Sequence, residues 1–376
     1  MSASANDWSG HNIAIVGTVG VPGRYGGFET LAENLVRKHG EMAGPGSLVV
    51  YCSARSYPER NPSFLGARLR YVNLPANGAL SVLYDVVCIF SAIFRRHAVI
   101  LLFGVSGAIA LPFVRLFSRV QVVTNVDGIE WKREKWGFLA RSFLRFSEFL
   151  AVRFSSEIVA DNLGIAEHIQ HTYGRSCRYI AYGGDHALLS EPQAYCRRAL
   201  PLHYSLAVCR VEPENNVGMI LEAFSLLPGS PLVFVGNWKG SAYGKSLYAE
   251  YARFEHIYML DPVYDPPELR GLRDSAHSYI HGHSAGGTNP SLVEMMHFGI
   301  PVLAFDCSFN RYTTDDKAIY FSDEESLRNA IAALAGSNSA QLGRDMLELA
   351  RARYTWDVVA HAYFELAQSV RSGAVL

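Results

Sequence analysis

The chain has 376 residues, 49% hydrophobic and 18% charged, with a formal net charge of −1. At roughly 100–200 residues per domain, this length predicts two domains, each able to bury its own core. The near-neutral balance supplies no global positive field, so nucleic acid is not an expected partner and any basic surface must be local.

The six cysteines, Cys52, Cys88, Cys177, Cys196, Cys209 and Cys307, form no CxxC pair and no His/Cys cluster with zinc spacing. They are read as reduced thiols of a cytosolic protein rather than as a disulfide framework. Met1 to Gly10 is polar, lacks the apolar core of a signal peptide and is expected as a disordered lead-in. The longest apolar stretch, Ala79 to Phe94, is interrupted by Asp85. It falls short of the ~20 apolar residues that span a bilayer, so no transmembrane helix is expected.

In chain order, Asn12 to Gly17 reads as a buried strand, Thr18 to Gly27 as a glycine-rich loop and Phe28 to His39 as a helix. Strands are predicted over 48–52, 69–74, 99–103, 120–124 and 156–160, with helices over 81–94, from Lys135 to about Phe154, and over 164–173. Gly183 to Leu202, with two prolines and a glycine pair, reads as an interdomain linker. The alternation then restarts, with strands over 205–209, 232–235, 257–260, 278–281 and 302–305. Helices are predicted over 217–227, 244–254, 267–275, 290–299, 324–335, 339–354 and 356–370. Two successive runs of strand and helix predict two doubly wound α/β domains, over residues 11–185 and 203–355. In such sheets ligands sit outside the carboxyl ends of the strands, which directs attention to the loops there.

Four of these loops have unusual chemistry. Gly17 to Glu29 (GTVGVPGRYGGFE) carries five glycines between a strand and a helix. Glycine lets a ligand approach the backbone, and a helix start offers free N–H groups to an anion or a sugar. It has neither the dinucleotide fingerprint nor the GK[ST] of a P-loop. A plain structural turn is the alternative, although such a turn has no need of Arg24, Tyr25 and Glu29. Asn125 to Lys135 (NVDGIEWKREK) sets Asp127 and Glu130 beside the indole of Trp131. Carboxylates and an aromatic face suit a sugar; a solvated charged turn is the alternative. The helix that follows interleaves Arg141, Arg145 and Arg153 with Phe138, Phe143, Phe146 and Phe149. It fits either an anionic membrane surface or a core helix with a solvated basic side.

The third loop, Arg210 to Asn216 (RVEPENN), places an arginine just after a strand, where it suits a diphosphate. The fourth, His281 to Glu294 (HGHSAGGTNPSLVE), is the most specific. Gly286 and Gly287 lead through Thr288 and Asn289 to Pro290, a helix start whose N–H groups near Ser291 and Leu292 suit a phosphate. Glu294, about one turn further on, would lean toward the same ligand and could accept hydrogen bonds from a ribose diol. His281 and His283 have no third metal ligand nearby and are read as cleft or core histidines.

Together these loops resemble the retaining GT-B glycosyltransferases of glycosyltransferase family 4, over nearly the whole chain. More narrowly, they resemble a subgroup of bacterial β-1,4-rhamnosyltransferases, through GVPGRYGGFET (Gly20 to Thr30), VDGIEWKR (Val126 to Arg133), EPENN (Glu212 to Asn216) and GHSAGGTNPSLVE (Gly282 to Glu294). The resemblance implies two Rossmann-like domains facing across a cleft. The N-terminal domain would take the acceptor and the C-terminal domain the nucleotide sugar. The last helix, 356–376, would cross back to the first domain. Arg210 matches the family's diphosphate-binding arginine, and Glu294 the second glutamate of its E-x7-E motif, which holds the ribose. Two positions depart from the broad family. Asn215 stands where a lysine is usual, and Gly286 where the first glutamate would face the donor sugar.

The expected activity is hexosyl transfer, with retention and without a metal or other cofactor. The donor is expected to be dTDP- or UDP-linked, with dTDP-L-rhamnose preferred. The acceptor is a saccharide hydroxyl, on a lipid-linked oligosaccharide in polysaccharide assembly, reached from the cytoplasmic face of the membrane. The donor site is assigned to Arg210, Asn215, Asn216, Gly286, Gly287, Thr288, Asn289, Ser291, Leu292 and Glu294. The acceptor site is assigned to Arg24, Tyr25, Gly26, Gly27, Phe28, Glu29, Asp127, Glu130 and Trp131. Arg210, Asp127 and Glu130 are the catalytic candidates. A nucleotide-sugar epimerase of the same architecture and a non-catalytic sugar- or membrane-binding protein are the alternatives.

Overall fold

The computed structural model describes residues 12–23, 26–43, 48–126, 128–132, 136–334 and 339–373. The chain splits into two compact units, Met1–Ala181 with Trp356–Leu376, and Tyr182–Thr355. Each is a helix-covered, mainly parallel sheet.

The first unit runs β1 (Ile13–Val16), α1 (Gly27–Ala43), β2 (Leu48–Ser53), β3 (Ser63–Phe64), β4 (Ala67–Val72), α2 (Ser81–Phe94), β5 (Val99–Phe103), α3 (Leu111–Phe117), β6 (Gln121–Val126), α4 (Phe138–Phe154), β7 (Glu157–Ala160), α5 (Leu163–Tyr173) and β8 (Arg178–Tyr179). Its strands lie in the order β3-β4-β2-β1-β5-β6-β7-β8. Among the described residues only the β3–β4 pair is antiparallel. β1 is buried at every position, as a central parallel strand covered on both faces must be. The chain leaves β1 toward β2 on one side and later returns to β5 on the other. The β1–α1 loop therefore opens at the switch point of the sheet. Gly17 in that loop has φ +89°, and a Cβ there would lie 2.1 Å from the Phe103 carbonyl oxygen, so only glycine lets the loop leave β1 beside β5. α5 shows how local chemistry sets an element's limits. Asn162 caps its start through the Gly164 N–H at 2.9 Å, and Gly174, in the left-handed region, ends it.

The second unit runs β9 (Tyr204–Val208), α6 (Val217–Ser225), β10 (Leu232–Val235), α7 (Ala242–Tyr251), β11 (Ile257–Leu260), α8 (Pro266–Asp274), β12 (Ala276–His281), α9 (Pro290–Met296), β13 (Val302–Phe305), α10 (Ser308–Thr314), β14 (Ile319–Phe321), α11 (Glu324–Leu334) and α12 (Ser339–Arg353). All its strands are parallel, in the order β11-β10-β9-β12-β13-β14. Here β9 and β12 flank the switch point. On one face of this sheet, Phe234, Ile280, Leu303 and Phe321 pack with Trp238 and with Phe224 of α6 in a single core cluster.

The last helix, α13 (Trp356–Ser372), belongs to the first unit, where it packs on α1, β5 and β6. Asn125 Nδ2 donates to Tyr363 Oη at 2.6 Å, and the Phe364 ring meets His39 edge-on at 5.3 Å.

The stretch read as a linker, 183–202, is packed within the second unit. Gly184 N–H donates to the Tyr354 carbonyl at 2.7 Å and Gln193 N–H to that of Pro267 at 2.9 Å. Arg197 pairs with Glu268 at 2.7 Å. Within this stretch Asp185–Leu188 forms one 3-10 turn, and the rest has no helix or strand. Five elements had no expectation in the sequence: β3, β8, β14, α3 and α10. The three strands and α3 are short, and the polar α10 (SFNRYTT) has no apolar stripe of helical period.

Candidate active site

In the second unit the loops Arg210 to Asn216 and His281 to Glu294 are brought together by the adjacency of β9 and β12. Asn216 Nδ2 donates to the Gly282 carbonyl at 2.9 Å. The Ser284 N–H and Oγ both donate to the Glu214 carbonyl, at 3.0 and 2.8 Å. Gly282 is required at this seam, because a Cβ there would lie 2.3 Å from the Asn215 carbonyl oxygen. Pro213–Asn215 forms one 3-10 turn, and Asn216, at φ 52°, turns the chain into α6. The Asn215 side chain is buried and donates to the Arg210 carbonyl at 2.8 Å. It braces the arginine's backbone rather than reaching outward. Arg210 itself is exposed, 3.6 Å from Glu212, a loose contact that leaves its guanidinium available to an anion.

Asn289 precedes Pro290 at the start of α9, as the sequence predicts. Its carbonyl accepts from the N–H groups of Leu292, at 3.1 Å, and Val293, at 3.3 Å, and its side chain accepts from Ser291 Oγ at 3.3 Å. Leu292 N–H, expected to face a phosphate, is thus engaged inside the helix. Ser291 N–H is not among the groups so engaged. Thr288 is buried, whereas Gly286, at φ +122°, borders open space. Gly287 lies between them, half-buried.

Glu294 is nearly enclosed on α9. Arg273 Nη2 from α8 binds Oε2, and His186 Nε2 lies 3.3 Å from Oε1. Burial pushes the Glu294 carboxyl up, but Arg273 and His186 together outweigh it and hold its pKa below the ordinary value. The group is therefore an anion. A carboxylate has about four lone-pair sites, so two partners leave room for further donors such as a diol. Arg273 and His186 were not foreseen. The only trace of Arg273 in the sequence is a charge beside Leu269 and Leu272 on the inward side of its helix, and His186 falls in the stretch read as linker. The two histidines of the loop stack, His281 on His283, at 4.4 Å between ring centres. Burial, and then His283, lower the His281 pKa, so His281 is neutral. Its Nε2 has no hydrogen-bond partner.

In the first unit, Glu29 holds the glycine loop in shape. Its Oε1 accepts from Val19 N–H at 2.8 Å and from Thr18 Oγ1 at 3.1 Å. Phe28 stacks on Phe103 at 5.4 Å. Gly26 is half-buried and Gly27 exposed at the head of α1. Arg24, Tyr25 and Asp127 lie outside the described residues, as do Arg133 and Lys135. Glu130 accepts from Trp136 Nε1 at 3.4 Å. Trp131 donates through Nε1 to Glu148 at 3.1 Å, with the Arg145 guanidinium 5.4 Å from its ring centre.

Glu148 was also missed. It is buried on α4 and accepts from Trp131, from Tyr173 Oη at 2.7 Å and, at 3.0 Å, lies against His168 Nε2. A glutamate on the inward side of a helix is the available signal. Its α5 partners, His168 and Tyr173, are not deducible from spacing. None of the six cysteines forms a disulfide. Among the described residues no helix is long and apolar enough to cross a membrane.

Residues 10–185 match a sequence family described as a domain of unknown function (DUF1972). No curated protein matches the chain. Among solved structures, the chain is similar to a sucrose-phosphate synthase from Thermosynechococcus elongatus. The TM-score is 0.79 at 14% sequence identity, over 96% of this chain and 100% of that one. That likeness is one of fold. With the two sheet orders described above, it places the chain in the GT-B architecture of two Rossmann-like units.

Proposed function

We propose that the chain is a glycosyltransferase that moves a sugar from a nucleoside diphosphate donor to a saccharide hydroxyl. The observation that carries this reading is Glu294. It is an anionic carboxylate held by Arg273 and His186, beside the switch point of a GT-B nucleotide domain. Buried charge is costly unless it has partners, and a held carboxylate with spare acceptor capacity suits a ribose diol. On this reading Arg210, on the loop stitched to that of Gly282 and Ser284, meets the departing diphosphate. Stabilising charge where it develops is the largest single term in many enzymes. No metal is required for that step, because the cation is supplied by the chain.

The preferred donor is dTDP-L-rhamnose. Two features of the sequence and site support it. Gly286 replaces a glutamate that would face a hexose hydroxyl, and the space beside it is open. Asn215 replaces a second cation and turns its side chain inward. Transfer proceeds with retention by front-face attack, the leaving phosphate helping to take the acceptor's proton. Phe28, Glu130 and Trp131 position the acceptor, with Arg24, Tyr25, Gly26, Gly27, Glu29 and Asp127 in the same two loops. The acceptor is a lipid-linked oligosaccharide of cell-surface polysaccharide assembly, met at the cytoplasmic membrane face.

The test incubates the full chain with dTDP- and UDP-linked sugars and a panel of saccharide acceptors, and follows nucleoside diphosphate release. Release that requires acceptor, strongest with dTDP-L-rhamnose, is expected. An altered sugar from donor alone would overturn the reading in favour of an epimerase. NMR of the product's anomeric centre settles stereochemistry, and clean inversion would remove the retaining mechanism.

A further inference from the structure

At the opposite edge of the first unit's sheet lies a cavity of about 520 Å³, lined by Arg115, Arg153, Arg175, Phe149, Ser156 and Tyr173 among others. Its position in the fold separates it from the candidate active site. Arg153 and Ser156 precede β7, Arg175 precedes β8, and Arg115 lies on α3 just ahead of β6. The cavity is therefore at the amino ends of these strands. The glycine loop and the Glu130–Trp131 loop leave the carboxyl ends of β1 and β6.

Three arginines meet here, and among the described residues none of them is in an ion pair. Arg175 is fixed. Its Nη1 donates to the Val152 carbonyl, and its Nη2 to those of Ser155 and Ser156, each at 2.9 Å. It thereby closes the carbonyl end of α4, a suitable place for a cation. Arg115 and Arg153 are exposed on either side, and the Arg153 guanidinium lies 5.8 Å from the Phe154 ring centre. Burial lowers the Arg175 pKa, and Arg153 and Arg115 lower it further against the opposing field of Glu157. A polyanion would relieve that repulsion.

The surface beside the cavity is apolar. Phe149 lines it and is also exposed, with Phe146 one turn back on α4. α3 packs on α4 and turns Phe113, Leu116 and Phe117 outward, the last two 74% and 82% exposed. Large aliphatic and aromatic side chains interleaved with arginines match an interfacial surface, with apolar groups for acyl chains and cations for phosphates.

We propose that the Arg115–Arg153–Arg175 cavity binds the phosphate of an anionic phospholipid headgroup and docks this edge of the first unit on a membrane surface. The site deepens the membrane-face reading above. It does not depend on sugar transfer.

The experiment is co-sedimentation of the full chain with vesicles of phosphatidylcholine alone or doped with phosphatidylglycerol, with no sugar donor present. The chain is expected to prefer the anionic vesicles. Arg115→Gln/Arg153→Gln should weaken that binding about 30-fold, from about 1 kcal/mol per surface cation. Both side chains are exposed, so the variant should fold, and Arg175 keeps its capping role. Arg55→Gln/Arg60→Gln, on exposed positions elsewhere in the same unit, makes the same charge change and should alter binding little. Leu116→Ser/Phe117→Ser should also weaken vesicle binding. Equal loss in both arginine pairs would overturn the site in favour of diffuse charge attraction. Binding of inorganic phosphate without vesicle binding would overturn the lipid assignment in favour of a soluble anion. Because no transfer step is read, these failures are distinct from failure of the transferase reading.

Discussion

The side-chain amide of Asn216 donates to the Gly282 carbonyl across 2.9 Å. This bond joins the loop after β9 to the loop after β12, and so sets Arg210 relative to the entrance of α9. Asn216 also sits at φ 52°, a conformation that asparagine tolerates better than most residues. Asn216→Ala loses both the bond and that tolerance. It should destabilise the chain by about 1–2 kcal/mol in urea unfolding. It should also raise the donor KM more than it lowers kcat with saturating donor. A donor KM unchanged from wild type would show that the seam does not position the site.

Glu294 and Arg273 form a buried pair, and removing one member strands the other. Glu294→Gln should destabilise the chain by about 3–5 kcal/mol. Glu294→Gln/Arg273→Met should recover much of that loss while still failing to bind nucleoside diphosphate. Calorimetric titration with dTDP separates the two effects. A double variant that binds dTDP like wild type would remove Glu294 from the donor site.

Arg210 is on the surface, so its loss should be nearly silent in stability. Arg210→Ala should shift urea unfolding by less than about 0.5 kcal/mol. Turnover should fall by two or more orders of magnitude, consistent with loss of a group that meets developing charge. Nucleoside diphosphate release measured with both substrates is the readout, and near-normal turnover would count against its role.

Asp85 gives the first unit a pH dependence. Burial pushes its carboxyl up to about 7, although the hydrogen bond from Ser106 Oγ lowers it. The folded chain keeps a proton that the unfolded chain releases near pH 4. Between those values the folded state binds more protons, so stability falls as pH rises and levels off above about pH 7. Asp85→Asn has no proton to lose. It should exceed wild type by on the order of 4 kcal/mol at pH 8, the gap closing near pH 4. His97, lowered to about 4 chiefly by burial, works in the opposite sense: its contribution is present above about pH 6.5 and is lost as pH falls toward 4. It is common to both chains and cancels in their difference. Urea unfolding of both chains across this range is the measurement; a gap that does not change with pH would refute the assignment.

Much of the architecture was legible because its causes are local. β1 reads as a strand from a run of four buried apolar residues, and α9 begins where Asn289 and Pro290 say a helix begins. The glycines that let loops leave strand ends are visible as residues, and so are Arg210 and Glu294. α13 is visible as a helix, and tertiary contacts through Tyr363 and Phe364 assign it to the first unit. Other features depend on side chains far apart in sequence. Glu294 is ionised because α8 and the turn after Tyr182 deliver Arg273 and His186 to it. Glu148 is tolerable in the core because α5 and the Trp131 turn supply its donors. The cavity of three arginines exists because α3, the end of α4 and the turn after α5 converge beside one sheet edge. Spacing along the chain determines which faces are apolar and where elements start. Only the folded arrangement decides which buried charges meet, because a charge's environment is made by whatever packs against it.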